Sequence, residues 1–231
     1  RKGSADLQRI CNEYLPLVFS RRHGDPSRPW NRFNIKTKDE MGNPIVGFQG
    51  NWRDIFQNWE ALAWSFPYYN DAFIHKFLNA TTADGYNPYR ITDNGIEWEE
   101  PDPNDPWASI GYWGDHQIIY LLKLLEFTET LKPNSLNALM NNDLFVFADV
   151  PYEIKDFSFL EENPNHSIYF NETRNEAILQ RAASIGADGK LVHDGNAQMV
   201  RANLFEKLFI PLLVKLSNYI PNGGIWMNTQ R

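Results

Sequence analysis

The chain has 231 residues, 42% hydrophobic and 22% charged, enough to bury one substantial core as a single large domain or two small ones. Its 22 basic and 29 acidic residues leave a formal charge of −7, which excludes an extended electrostatic footprint for nucleic acid or anionic lipid but not a local anion pocket. No apolar stretch reaches the roughly 18–20 residues of a membrane-spanning helix, no signal-peptide apolar region follows Arg1-Lys2-Gly3-Ser4, and the single Cys11 excludes an intramolecular disulfide or a multi-cysteine metal site, so a cytoplasmic chain is expected.

The first predicted helix runs from Ala5 to about Phe19 and carries Pro16 in its last turn. Residues 21–50 are dense in turn formers and basic side chains and read as a long ordered loop. From Asn51 to Phe66 the apolar residues Ile55, Phe56, Trp59, Leu62, Ala63 and Phe66 recur at helical spacing, and Pro67 ends the run. A further helix is expected over Asp71–Ala80, capped by Asn70. A second long loop, 83–111, holds Asp84-Gly85-Tyr86-Asn87-Pro88-Tyr89-Arg90 and a Pro-Asp-Pro-Asn-Asp-Pro run. The strongest helix, His116–Leu131, is apolar on almost all sides and predicts burial. Irregular chain is expected over 141–171. Helices are expected again at Glu172–Ile185 and Gln198–Tyr219, the latter with Pro211 as a kink or break. No strictly alternating strand pattern stands out, so the fold class expected is all-α.

The segment Arg53-Asp54-Ile55-Phe56-Gln57-Asn58-Trp59-Glu60 places Arg53, Gln57, Glu60 and Trp64 on one helical stripe, with Asp54 and Asn58 adjoining it. A guanidinium, a carboxylate, amides and a flat ring on one surface suit a sugar, whose hydroxyls hydrogen-bond while its apolar face stacks. The plainer reading makes Asp54 the N3 acid of a cap begun by Asn51 and Arg53 a solvated charge. Tyr112-Trp113-Gly114-Asp115-His116 gathers two aromatics, a carboxylate and an imidazole before the apolar helix, where Asp115 also reads as a simple cap. No glycine-rich phosphate loop, Gly-x-Ser-x-Gly elbow or zinc-helix histidine spacing occurs, so neither a cofactor nor a metal is expected. His75 reads as a partly buried structural residue.

Arg53-Asp54-x-x-Gln57-Asn58, Asp84-Gly85-x-x-Pro88-Tyr89 and Trp113-Gly114-Asp115-His116 together resemble, in order and spacing, the motifs of the cellobiose phosphorylase family and related (α/α) six-hairpin glycosidases. The likeness covers about Gln49–Glu126, roughly a third of the chain. It implies that Arg53 and Asp54 bind hydroxyls of the transferred sugar, that Gln57 supports them, that Asp115 lines the same subsite, and that Trp113, His116, Tyr89 and Arg90 border the substrate. Asn58 and Gly114 depart from the family pattern at positions where it carries acids. The family's general acid lies in an Asp-Trp-Asn-Asp motif that is absent from this sequence. Asp188-Gly189 to His193 shares only a glycine and a histidine with the family's phosphate loop.

Residues 1–231 therefore read as one region of a longer catalytic domain, a partial (α/α) six-hairpin toroid with long aromatic-rich loops. The expected partners are an oligosaccharide or glycoside, with water or inorganic phosphate as attacking group, and the remainder of the catalytic domain; nucleic acid and membrane are not expected. By the resemblance the reaction inverts the anomeric centre, with its acid beyond the chain or, as the one internal candidate, Glu60. The alternatives are a non-catalytic carbohydrate-binding domain and a helical interaction domain.

Overall fold

The computed structural model describes residues 4–15, 38–43, 49–85, 90–92, 95–98, 100–104, 118–162 and 168–222. Helix α1 (Ala5–Asn12) starts at Ser4, whose hydroxyl accepts the Leu7 amide at 3.2 Å. It stops well short of Phe19, since Pro16 has no amide to donate and disfavours helical backbone in the residue before it.

Strand β1 (Gln49–Asn51) runs directly into α2 (Trp52–Ser65), and a 3₁₀ turn at Pro67–Tyr69 leads into α3 (Asn70–Asn79). Two expected caps have other roles. Asn51 ends β1, paired with Arg90, while Asn70 sits inside α3 with its amide donating to the Leu124 carbonyl at 3.0 Å and to the Thr128 hydroxyl. The amide thus ties α3 to the helix that carries Leu124 and Thr128, while its Oδ1 is buried without a hydrogen-bond partner among the described residues.

The loop expected over 83–111 contains a hairpin, β2 (Arg90–Thr92) and β3 (Gly95–Glu97), which joins β1 in a three-stranded antiparallel sheet of order β1-β2-β3. Ile91 and Ile96 pair across it and are both buried, which ties the sheet to the core. The expected loop 21–50 likewise ends in β1.

Helix α4 (Ile118–Leu131) is buried on one face only. Leu121, Leu124, Phe127 and Thr128 are covered, whereas Ile119 and Leu122 are 50% and 52% exposed. Overall apolarity overstated its burial, because a helix is covered only where a neighbour packs against it.

The expected irregular stretch 141–171 holds β4 (Phe145–Val146), β5 (Tyr152–Ile154), α6 (Phe157–Glu162) and β6 (Ile168–Phe170), after a single turn, α5 (Asn137–Met140). Helix α7 (Glu172–Ile185) matches the expected bounds and is capped by Asn171, which accepts the Arg174 amide at 3.0 Å. A 3₁₀ turn at Gly186–Lys190, β7 (Arg201–Ala202) and α8 (Leu204–Asn222) complete the described chain. Strand β4 pairs with β7 and β5 with β6, both antiparallel. Among the described residues the chain is mostly helical, as expected, with three small sheets that an all-α fold class leaves out.

Side-chain pairs fix the helix directions. Trp59 stacks on Phe73 at 5.1 Å and Phe56 meets Phe77 at 4.7 Å, so α2 and α3 are antiparallel. Asn70 meets Thr128 and Asp71 meets Lys132, at the far end of α4, so α3 and α4 are antiparallel too. Glu60 meets Lys123 and Trp64 meets Phe127, so α2 and α4 run parallel. The apolar core lies inside this trio, with Phe145 and Leu204 closing it from the C-terminal half.

Candidate functional site

The parallel course of α2 and α4 positions the stretches singled out in the sequence. The pairs Glu60–Lys123 and Trp64–Phe127 share an offset of 63 residues. The same offset sets Ile118, where α4 begins, level with Ile55, within a turn of the start of α2. Arg53 and Asp54 lie in the first turn of α2, and Asp115 and His116 come just before Ile118 in sequence. The sheet adds a third stretch, since Arg90 heads β2 directly opposite Asn51. The side chains of Arg53, Asp54, Gln57 and Arg90, and the whole of Tyr89, Trp113, Asp115 and His116, lie outside the described residues.

Farther along the same stripe, Glu60 and Trp64 border a groove of about 230 Å3 between α2 and α4, with Lys123 and Phe127 on the other side. Trp64 is 70% exposed, its ring 4.3 Å from that of Phe127. Both oxygens of Glu60 accept from Lys123 Nζ, at 2.9 and 3.0 Å. A groove edged by a flat ring, a carboxylate and an ammonium can stack on a sugar face and bond its hydroxyls. Glu60 does not suit a general acid, which must present its proton to a leaving oxygen rather than hold an ammonium on both of its own.

Neither a protein-family model nor a curated protein matches the chain.

The segment 188–193 has a structural role. Gly189 is buried so tightly on α7 that a Cβ there would lie 2.4 Å from the Ala182 nitrogen. Arg181 donates to the Gly189 carbonyl at 2.7 Å and to Asp149 at 2.6 Å, and Arg174 grips the same carboxylate at 2.8 and 3.0 Å. His193 Nδ1 lies 2.8 Å from the Leu191 carbonyl. His75 is buried as expected, its Nδ1 2.8 Å from the Asp71 carbonyl and its ring stacked on Phe145 at 4.6 Å.

A second concavity had no signal in the sequence. About 330 Å3 of space lies between α1, α3, the β2–β3 hairpin and the 3₁₀ turn at 186–190. Arg9, only 4% exposed, donates from Nη1 to Glu13 at 3.0 Å and from Nη2 to Asp188 at 2.7 Å. Glu13 also receives Asn79 Nδ2 at 2.6 Å and Lys76 Nζ at 3.2 Å. Burial opposes the charge on Arg9, but the Glu13 and Asp188 carboxylates outweigh it and hold the guanidinium above its ordinary pKa. These residues come from segments far apart in the chain, which is why no motif announced them. Among the described residues no cluster of three or more His, Cys, Asp or Glu could hold a metal, and no helix is long and apolar enough to cross a membrane.

Proposed function

We propose that this chain is a carbohydrate-active domain that binds an oligosaccharide or glycoside across the end where α2 and α4 begin and along the groove between them. The observation that carries this reading is the parallel course of the two helices. In a ring of helical hairpins every second helix runs the same way, so the loops that feed alternate helices gather at one mouth. That arrangement supports the resemblance to six-hairpin glycosidases, in which Arg53, Asp54 and Asp115 share a sugar subsite, Gln57 supports them, and Trp113, His116, Tyr89 and Arg90 border it. The exposed Trp64 beside Glu60 and Lys123 extends the surface by a stacking platform. The reaction would invert the anomeric centre, with water or inorganic phosphate attacking opposite a general acid from the remainder of the catalytic domain.

Titration of the chain with disaccharides and aryl glycosides tests the reading. Asp54→Ala should weaken binding by about 1.5–3 kcal/mol, the worth of a charged hydrogen bond, while the loss of a cap acid lowers stability by only about 1 kcal/mol. Equal affinities of the two forms would leave Asp54 a helix cap and nothing more.

One observation favours the helical interaction domain as a second reading. Phe205, Phe209, Leu212, Leu213 and Leu216 along α8 are 43–54% exposed, an apolar load that suits a protein partner.

A further inference from the structure

The cavity beside Arg9 combines two walls of opposite character. One is charged: Arg9 and Lys76 face Glu13 and Asp188, two cations against two anions. The other is apolar, made by Ile91, Ile96 and Leu191, all buried. Arg9 is deeply buried, yet its Nε has no hydrogen-bond partner among the described residues. Asp188, with its side chain 34% exposed, and Lys76, at 26%, keep charged atoms accessible around the space.

We infer that this cavity is a binding site for a neutral polyhydroxylated molecule about one ring in size, a monosaccharide or cyclic polyol. Hydroxyl groups of such a ligand donate to the Asp188 and Glu13 carboxylates, which the Arg9 guanidinium holds in place, and its oxygens accept from Lys76. Its C–H face lies on Ile91 and Ile96. Among the described residues the charge is balanced, which disfavours the other ligand classes. A phosphate or carboxylate drawn to Arg9 meets two carboxylates already on the same guanidinium, and a cation drawn to those carboxylates meets Arg9 and Lys76. A zwitterion suffers both repulsions. The volume of about 330 Å3 lies near the lower end of the roughly 300–1,000 Å3 of small-molecule pockets and is far more than one water needs.

The site shares no residue with the α2–α4 end, so the inference stands apart from the function proposed there. The test is calorimetric titration of the purified chain with glucose, galactose, mannose and myo-inositol, with inorganic phosphate and glycine as charged probes. At least one neutral probe should bind saturably in the millimolar range or tighter, and Arg9→Lys, which keeps the charge but loses the planar fork, should weaken it at least about tenfold. Because Arg9 also anchors α1, a second variant, Ala187→Phe, narrows the cavity from its exposed rim while keeping Arg9, Glu13, Lys76 and Asp188, and should weaken binding as much with an unchanged circular dichroism spectrum. The inference is overturned by absence of saturable binding of all four neutral probes, or by phosphate or glycine binding that Ala187→Phe removes. It is equally overturned if neutral binding survives Ala187→Phe; loss of that binding in Asp54→Ala would then assign it to the α2–α4 end.

Discussion

Two residues set apart what chemistry and what sterics do to a single position. His75 is buried against Phe145 with Nδ1 on the Asp71 carbonyl. Burial depresses its pKa, against the opposing pull of that carbonyl and of the Glu13 and Asp71 charges. The unfolded chain takes up this proton near the ordinary value of about 6.5, at a higher pH than the folded one. Its contribution to stability is therefore complete above that pH and declines as the pH falls through it toward the folded pKa. Thermal unfolding followed from pH 8 down to 5 should show a steeper loss for the native chain than for His75→Gln; parallel curves would contradict this. At Gly189 the constraint is space. A methyl group there meets the Arg181–Ala182 backbone at 2.4–2.6 Å, so Gly189→Ala should cost about 1–3 kcal/mol or more in denaturant unfolding. Gly195, with nothing within 4 Å of its would-be Cβ, supplies the control, and Gly195→Ala should change stability by less than about 0.5 kcal/mol.

Where an element begins is decided by its caps more than by its apolar period. Helix α8 starts at Leu204 rather than Gln198 because Asn203 and Glu206 close a reciprocal box: the Glu206 amide donates to Asn203 Oδ1 and the Asn203 amide to Glu206 Oε2, each at 3.0 Å. Asn203→Ala should destabilise the protein by about 0.5–2 kcal/mol and Asn203→Asp by much less, measured by chemical denaturation. By contrast the Glu60–Lys123 pair, with side chains 33% and 43% exposed, joins α2 to α4 in partial contact with water and is worth at most about 1 kcal/mol. The parallel packing of those helices rests instead on the buried Phe56, Trp59, Leu121 and Leu124. The hairpin β2–β3 carries a short-range turn signal with no strand pattern around it. Asn94-Gly95 is a strong turn dipeptide, and Gly95 does adopt φ +92°, but the flanking strands of three residues are too short to show an alternating pattern.

At the scale of the whole chain, the sugar reading proposed above turns on where the general acid lies. Protonating a glycosidic oxygen takes a carboxylic acid held at hydrogen-bond distance from it. Glu60 is engaged by Lys123 through both oxygens, and Asp149 by Arg174 and Arg181. Under the proposed function, and because the Asp-Trp-Asn-Asp acid motif is absent from these 231 residues, the chain purified alone should release no sugar from aryl glycosides or disaccharides, with or without phosphate, even where it binds them. Release that disappears in Glu60→Gln would show that the acid lies inside the chain after all.

By itself the sequence determined the helices whose apolar period is long and regular, α2, α3 and α7, and the burial of His75, because these follow from local spacing and side-chain character. It also set Arg53, Gln57, Glu60 and Trp64 at helical spacing along α2. Only the tertiary structure decided which face of α4 is covered, that Asn70 works as a buried tie rather than a cap, and that three stretches called irregular or loop pair as small sheets. It alone brought Arg9, Glu13, Lys76 and Asp188 around one cavity. Strand pairing, burial and ion pairing depend on what lies across the gap, and outside the local β2–β3 hairpin and the Arg9–Glu13 pair those neighbours are distant in the chain, Arg9 and Asp188 being 179 residues apart.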